Sequence, residues 1–463
     1  MPQDFDIIIL GAGTTAFAGG RLAASHGKKV LMIEQSKLGG ACVNWGCVPS
    51  KTLIHKAEMY QAARKGKYWG LNLQAGVPDC SNLMELKQAA VETLRTSHYQ
   101  QELDHSENFE LLHGRGHFLS ATTLEVCNQQ VRAPQILIAT GGSPRIIPLA
   151  GLEKIKYLTS LNSMNLAEFP KSLIMLGGGV IALEMGQMFS RFGTSVTILE
   201  RNNKLLSEFD PRLTEQFRAM LELEGIKVLF NVESHRVEQR NGEVCLYAST
   251  AGNSVEICAE RLMLAIGTQP NSAELGLEQV GIKLDADGFI HVDEQLRTSV
   301  PGIWAAGDVT GQPLIAPAGV REAYIAIKNM LEPQAGHSID HRISPMAVFV
   351  DPEFASVGLT RQQAEALGVT VVTTYLGLDQ VAKAHVMGDF LGGVLLNAEM
   401  GSGKVLGVQM LCPRAADIIQ EATLAVRFGL SVADLATTVH VYPSISDALR
   451  LAAQENALEQ GLL

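Results

Sequence analysis

Cysteine is scarce in this chain. The 463 residues carry seven, at positions 42, 47, 80, 127, 245, 258 and 412, unlike the dense, even framework of a disulfide-stapled secreted scaffold. Only Cys42 and Cys47 stand close together. No second clustered pair follows, which leaves a tetrahedral zinc centre short of ligands, so no metal site is expected. Positive charge is also short: 37 lysines and arginines against 48 acids leave a formal charge of -11. With no polybasic stretch, that balance argues against nucleic acid or anionic lipid as a partner. No uninterrupted apolar run reaches the ~18 residues a spanning helix needs. The opening Met1-Pro2-Gln3-Asp4-Phe5 lacks the basic head of a secretory signal. These absences point to a cytoplasmic protein without membrane insertion. What remains is 46% hydrophobic and 18% charged, which suits large cores and shows no signature of disorder. About three domains of ~100–200 residues each are expected at this length.

The apolar run Phe5-Asp6-Ile7-Ile8-Ile9-Leu10 reads as a buried strand ending at Gly11-Ala12-Gly13-Thr14-Thr15-Ala16. An Ala- and Leu-rich helix and a second strand, Lys29 to Glu34, come next. The unit recurs when Leu173-Ile174-Met175-Leu176 meets Gly177-Gly178-Gly179-Val180-Ile181-Ala182 and returns through Val196 to Glu200. In each turn the first glycine (Gly11, Gly177) permits the tight bend and the second (Gly13, Gly179) lets the backbone approach a pyrophosphate. The small Ala16 or Ala182 lets helix pack closely on strand, and the phosphates rest on the helix N-terminus. Glu34 and Glu200, at the ends of the returning strands, are placed to accept hydrogen bonds from a ribose. A carboxylate there would repel a 2'-phosphate, so Glu200 favours NAD, with Arg201 and Lys204 leaving NADP possible.

Two further strands leading into glycine turns echo each other, Pro134 to Gly142 and Leu262 to Gly267. A later one, Ile303-Trp304-Ala305-Ala306-Gly307-Asp308, suggests that the first domain resumes after the second unit. From about Arg342 the pattern changes to alternating strands and a helical stretch from Ala415 to Phe428, read as a separate α/β domain.

The segment Gly39-Gly40-Ala41-Cys42-Val43-Asn44-Trp45-Gly46-Cys47-Val48-Pro49-Ser50-Lys51 places two thiols directly after the first nucleotide unit. A disulfide can close across so short a loop. A thiolate at a helix start beside a lysine is stabilised by the peptide dipoles and the ammonium, and so is reactive. Two unrelated core cysteines would be the alternative, and redox chemistry fits the pair better.

This segment, the two glycine fingerprints and the Ala306-Gly307-Asp308 stretch resemble the pyridine nucleotide-disulfide oxidoreductases, a family that includes glutathione reductase, dihydrolipoamide dehydrogenase and mercuric reductase. The resemblance runs over essentially the whole chain. It implies two Rossmann-like dinucleotide-binding domains plus a C-terminal α/β dimerisation domain. Residues 1–150 would begin the FAD-binding domain, 151–271 would bind NAD(P), 272–341 would complete the FAD domain, and 342–463 would dimerise. The same resemblance makes Cys42 the interchange thiol and Cys47 the flavin-side, charge-transfer thiol. It pairs Lys51 with Glu184 near the flavin, where an ordinary surface ion pair is the alternative. Asp308 would hold the ribityl or pyrophosphate region of FAD, and Thr140-Gly141 would mark the exit strand. A homodimer is implied, the C-terminal domain completing the partner's site around Cys42. The activity implied is electron exchange between a nicotinamide cofactor and a small or protein-bound disulfide or dithiol. Reduction of Hg(II) at the same thiols is the alternative, and a flavoprotein docking module the third reading.

One stretch departs from the family. Glutathione reductase and dihydrolipoamide dehydrogenase place a histidine before a proline, paired with a glutamate, as proton donor and acceptor for the interchange thiol. Here the stretch reads His440-Val441-Tyr442-Pro443-Ser444-Ile445-Ser446-Asp447, with Tyr442 at the base position and Asp447 at the glutamate position. A phenol, with an ordinary pKa near ~10, is a poor base at neutral pH, and His440 is the candidate substitute. Tyr157-Leu158-Thr159-Ser160 and Leu449 to Gln454 resemble the mercuric reductase core instead.

Overall fold

The structure is a computed structural model that describes residues 3–65, 70–311 and 313–463. Strand Ile7–Leu10 lies at the centre of a five-stranded parallel sheet, between Gln135–Ile138 and Val30–Glu34, with Ile303–Ala305 and Phe109–His113 outside them. The chain thus returns to this sheet after the whole second nucleotide unit. Side chains alternate along a strand, and here both faces are apolar. Ile7 and Ile9 pack with Phe17, Ala323 and Ile327 of the helices Thr14–Ser25 and Ala316–Leu331. Ile8 and Leu10 face Phe118 and Leu124 of a small sheet on the other side. Such two-sided burial is what a continuous Ile/Leu run requires.

The second unit repeats this plan. Strands Lys227–Leu229, Ser195–Leu199, Ser172–Leu176 and Arg261–Leu264 form a parallel sheet in that order. One face packs on the helix Val180–Arg191 through Leu183 and Phe189. The other is covered by the antiparallel strands Val232–Arg240, Glu243–Thr250 and Asn253–Ala259. Where the chain leaves the first unit and comes back, strands Gly142–Pro144 and Thr268–Pro270 pair. Beside them Asn271 Nδ2 donates to the Thr140 carbonyl at 2.9 Å, and the Thr140 hydroxyl donates to the Asn271 carbonyl at 2.8 Å.

The C-terminal part is a five-stranded antiparallel sheet in the order Met346–Val348, Glu353–Gly358, Val405–Cys412, Gly393–Glu399, Val371–Gly377. Helices Ala415–Phe428 and Asp447–Glu459 bury their apolar stripes on it. Its Val348, Phe354 and Leu411 also join the core that contains Phe189 and Phe217 of the second unit.

Candidate active site

The cysteine loop is latched to the first glycine turn. The Gly39 N–H donates to the Ala12 carbonyl at 2.8 Å, and Gly40 (φ 60°) passes so close that a Cβ there would lie 2.6 Å from the Gly13 Cα. Only glycine tolerates both the left-handed backbone and that approach. The latch places Cys42, in the short helix Gly40–Asn44, and Cys47, the first residue of the helix Cys47–Lys65, beside the phosphate turn. Asn44 fixes the loop between them, donating at 2.9 Å to both the Leu38 and Gly40 carbonyls and accepting from Arg95.

The structure holds Cys42 and Cys47 as two half-buried thiols. The hydrogen bond they share separates their acidities. It draws Cys47 down to about 7 against the cost of burial, helped by the Lys51 ammonium and opposed by Glu184. It pushes Cys42 well above the ordinary thiol range, as do burial and the Cys47 charge, while a hydrogen bond with Thr14 pulls the other way. One sulfur is therefore ready as a thiolate and the other keeps its proton. Lys51 Nζ donates to Glu184 Oε2 at 2.7 Å and sits 4.7 Å from the Phe349 ring centre. The second Glu184 oxygen accepts from the Phe349 N–H at 2.9 Å. With Glu184 only 4% exposed, this is a fixed, partly desolvated pair rather than a loose surface one.

The two glycine turns share one backbone plan. Gly11 (φ 107°) and Gly177 (φ 110°) would place a Cβ at 2.4 Å from Ala139 O and 2.3 Å from Ala265 O, while Gly179 faces open space. Helices Thr14–Ser25 and Val180–Arg191 start at Gly13 and Gly179 without a side-chain cap. Their first N–H groups are left to an anion. Glu34 accepts from Ala12 N at 2.8 Å and Ser36 N at 2.7 Å, and Glu200 accepts from Gly178 N at 2.6 Å and Asn202 N at 2.7 Å. Ala16 and Ala182 are fully buried under their helices. These cradles fit two dinucleotides. Asp308, its carboxyl raised by burial, follows Gly307, whose N–H donates to Glu322 at 2.6 Å. Gly141 (φ 72°) follows Thr140 at the exit of the strand Gln135–Ile138.

The segment around Tyr442 is far less tied down. Tyr442 is 75% exposed with Val439 and Val441 beside it. Asp447 is held by Arg450 at 2.6 Å. His440 is engaged at both ring nitrogens, Nε2 with Glu421 at 3.0 Å and Nδ1 with the Thr438 carbonyl at 2.9 Å. Tyr157 packs against the core of the second nucleotide unit.

Two features that sequence reasoning missed concern the cysteines. Tyr99, in a π-helical turn Thr96–Gln100, lies 3.2 Å from the Thr14 hydroxyl, close enough for both thiols to bear on its acidity. No sequence pattern marks it. The second is a correction: Cys42 and Cys47 are not the sole pair, because Cys245 and Cys258 are disulfide-bonded across two antiparallel strands. The signal was present, since both lie equally far from the two-residue turn Ala251-Gly252. Among the described residues the one grouping of metal-type donors is Cys245, Glu256 and Cys258, where the sulfurs are spent on each other. No helix among the described residues is long and apolar enough to cross a membrane.

Residues 5–323 match the family described as pyridine nucleotide-disulphide oxidoreductase, and residues 344–453 match its dimerisation domain. A mercuric reductase of Staphylococcus aureus is 36% identical over 97% of this chain and 82% of its own length. A dihydrolipoyl dehydrogenase of Geobacillus stearothermophilus is 33% identical over 97% and 95%. Among solved structures, the Cu(II) complex of the HOCl-induced flavoprotein disulfide reductase RclA from Escherichia coli superposes with a TM-score of 0.87 at 27% identity. That match covers 98% of this chain and 100% of that one. With its paired thiols, its two dinucleotide cradles and both domain matches in register, the chain belongs to the pyridine nucleotide-disulphide oxidoreductases, enzymes that use FAD and NAD(P).

Proposed function

We propose that this enzyme takes electrons from NADH through FAD to the Cys42/Cys47 pair and delivers them to a thiophilic metal ion of the mercuric class. Exchange with a lipoyl-type disulfide or dithiol is the second reading. Bound FAD would supply the chemistry that links hydride transfer from nicotinamide to sulfur redox. Gly11, Gly13 and Glu34 would hold it at the first turn, with Asp308 and Thr140-Gly141 along its length. Gly177, Gly179 and Glu200 would hold the nicotinamide cofactor, the Glu200 carboxylate selecting NADH over NADPH. Cys47 is the flavin-side thiolate, stabilised by Cys42 and Lys51, and Cys42 is the outer thiol.

The observation that supports this choice of acceptor is the proton the thiol pair retains, together with a tyrosine, Tyr442, where glutathione reductase and dihydrolipoamide dehydrogenase carry the histidine that would remove it. The neighbouring Cys47 and burial favour the protonated form of Cys42, a phenol is a poor base for that proton, and both ring nitrogens of His440 are engaged. Attack on a disulfide needs a base to deprotonate the attacking thiol. A soft cation needs none, because it displaces thiol protons as it binds, and two thiolates suit it. The mercuric reductase relatives and the Cu(II)-bound RclA support this reading, and the dihydrolipoyl dehydrogenase supports the second. The match to the dimerisation domain supports a homodimer, in which the exposed Val439–Tyr442 segment would complete the other subunit's site.

Steady-state NADH oxidation by the FAD-loaded enzyme tests the assignment, with thiol-complexed mercuric ion, lipoamide and glutathione disulfide offered in parallel. Mercuric ion should give the fastest turnover, abolished by Cys42→Ser. Turnover with lipoamide and none with mercuric ion would replace the first reading by the second.

A further inference from the structure

The Cys245–Cys258 bond lies outside the flavin site, on the sheet that covers the second nucleotide unit. Val244, Leu246 and Ala259 face the core beneath, so by strand alternation Cys245 and Cys258 stand on the outer face. They are directly opposed, with Cα atoms 4.1 Å apart. That opposition is set by seven residue pairs between strands Glu243–Thr250 and Asn253–Ala259. The ladder would keep the sulfurs adjacent with the bond open, so neither core packing nor strand register depends on it. The two sulfurs also differ. Cys245 is buried in the middle strand, whereas Cys258 is half-buried on the outer strand. Arg240 reaches over this face: its Nη2 lies 3.4 Å from the Cys258 sulfur and is paired with Glu256, whose Oε1 also lies 3.4 Å from that sulfur.

We propose that Cys245–Cys258 is a second, reversible thiol–disulfide couple, opened at Cys258 by low-molecular-weight thiols. Arg240 attracts the incoming thiolate, which bonds to the Cys258 sulfur as the Cys258–Cys245 bond breaks. Cys245 leaves with the electron pair and takes up the proton the attacking thiol released. A second thiolate then attacks the outer sulfur of the mixed disulfide, forming the small-molecule disulfide. Cys258 is released beside the Arg240–Glu256 pair and takes up the proton of the second attacking thiol. Two small thiols are oxidised and one protein disulfide is reduced, and the reverse sequence re-forms the bond from oxidised glutathione.

The experiment uses native, FAD-loaded enzyme equilibrated anaerobically in reduced and oxidised glutathione mixtures, acid-quenched, alkylated and digested. The peptides carrying Cys245 and Cys258 should pass from bonded to dialkylated as the mixture becomes reducing, and return when oxidised glutathione is restored. Circular dichroism and flavin absorption should show the protein still folded. Arg240→Gln should slow the opening several-fold while the final extent at each mixture changes little. A pair that stays bonded until the protein is denatured would overturn the proposal, leaving a structural staple. Recovery of two thiols at every mixture would overturn it equally.

Discussion

The acidity of Cys47 comes from its neighbours. A thiol in bulk water titrates near ~8.5, and burial alone would raise that. The hydrogen bond from Cys42 and the Lys51 ammonium reverse the sign and bring it to about 7. Alkylation of the reduced enzyme at Cys47 should therefore switch on near neutral pH. Lys51→Met should move that midpoint upward, as measured by peptide mass spectrometry over a pH series. A second prediction separates the two cradles. Gly177→Ala introduces a Cβ 2.3 Å from a carbonyl oxygen at φ 110°. It should leave the flavin bound but raise the NADH KM steeply, whereas Gly11→Ala should purify with little flavin. The backbone geometry of both glycine turns and of the thiol loop was legible in the sequence because it rests on residues a few positions apart. Tyr99 and Glu322 were not. Tyr99 reaches the Thr14 hydroxyl, and Glu322 the Gly307 N–H, only after distant elements pack.

At the scale of elements, the helix Val180–Arg191 joins the redox centre to the C-terminal sheet. It carries Glu184 toward Lys51 and, one turn and two turns on, Gln187 and Arg191 toward the loop at Asp351. Arg191 is 4% exposed and bridges Glu224 at 2.9 Å and Asp351 at 2.8 Å. Removing one partner of a buried pair strands the other charge at a cost of ~3–5 kcal/mol. Arg191→Met should lower stability by that order in chemical denaturation followed by circular dichroism. Burial raises the Glu224 carboxyl, but Arg191 and Lys65 outweigh it and hold the carboxyl below its usual range. Its share of stability is therefore complete above the unfolded carboxylate value near ~4.3 and is lost as pH falls through the lower folded one. A denaturation series in acid should show a smaller pH dependence in Glu224→Gln. Strand and helix positions followed from hydrophobic period, as with the helix Ala415–Phe428. The occupation of His440 by Glu421 did not, because it depends on how the segment after the helix Val432–Thr437 folds back against its neighbour.

For the whole molecule, the duplicated nucleotide units were readable from their repeated strand–glycine–helix pattern, and the return of the chain to the first sheet from the Ile303–Ala305 strand. The antiparallel cover of the second unit, which brings Cys245 to Cys258, was not anticipated. Its strands alternate weakly and their pairing is fixed by turns rather than by an apolar run. Size exclusion with light scattering should give a dimer. If the Tyr442 segment completes the other subunit's site, Tyr442→His should increase lipoamide turnover, since an imidazole can take the Cys42 proton that a phenol cannot.

The central claim is that electrons from NADH arrive at Cys42 and Cys47. The most direct measurement is anaerobic reduction of the air-oxidised holoenzyme with NADH, followed by alkylation and mass spectrometry of the peptides carrying these residues. Before NADH the two sulfurs should be bonded and unreactive, and afterwards both should be alkylated while the flavin spectrum changes. A flavin reduced by NADH above a pair that remains bonded would contradict the account.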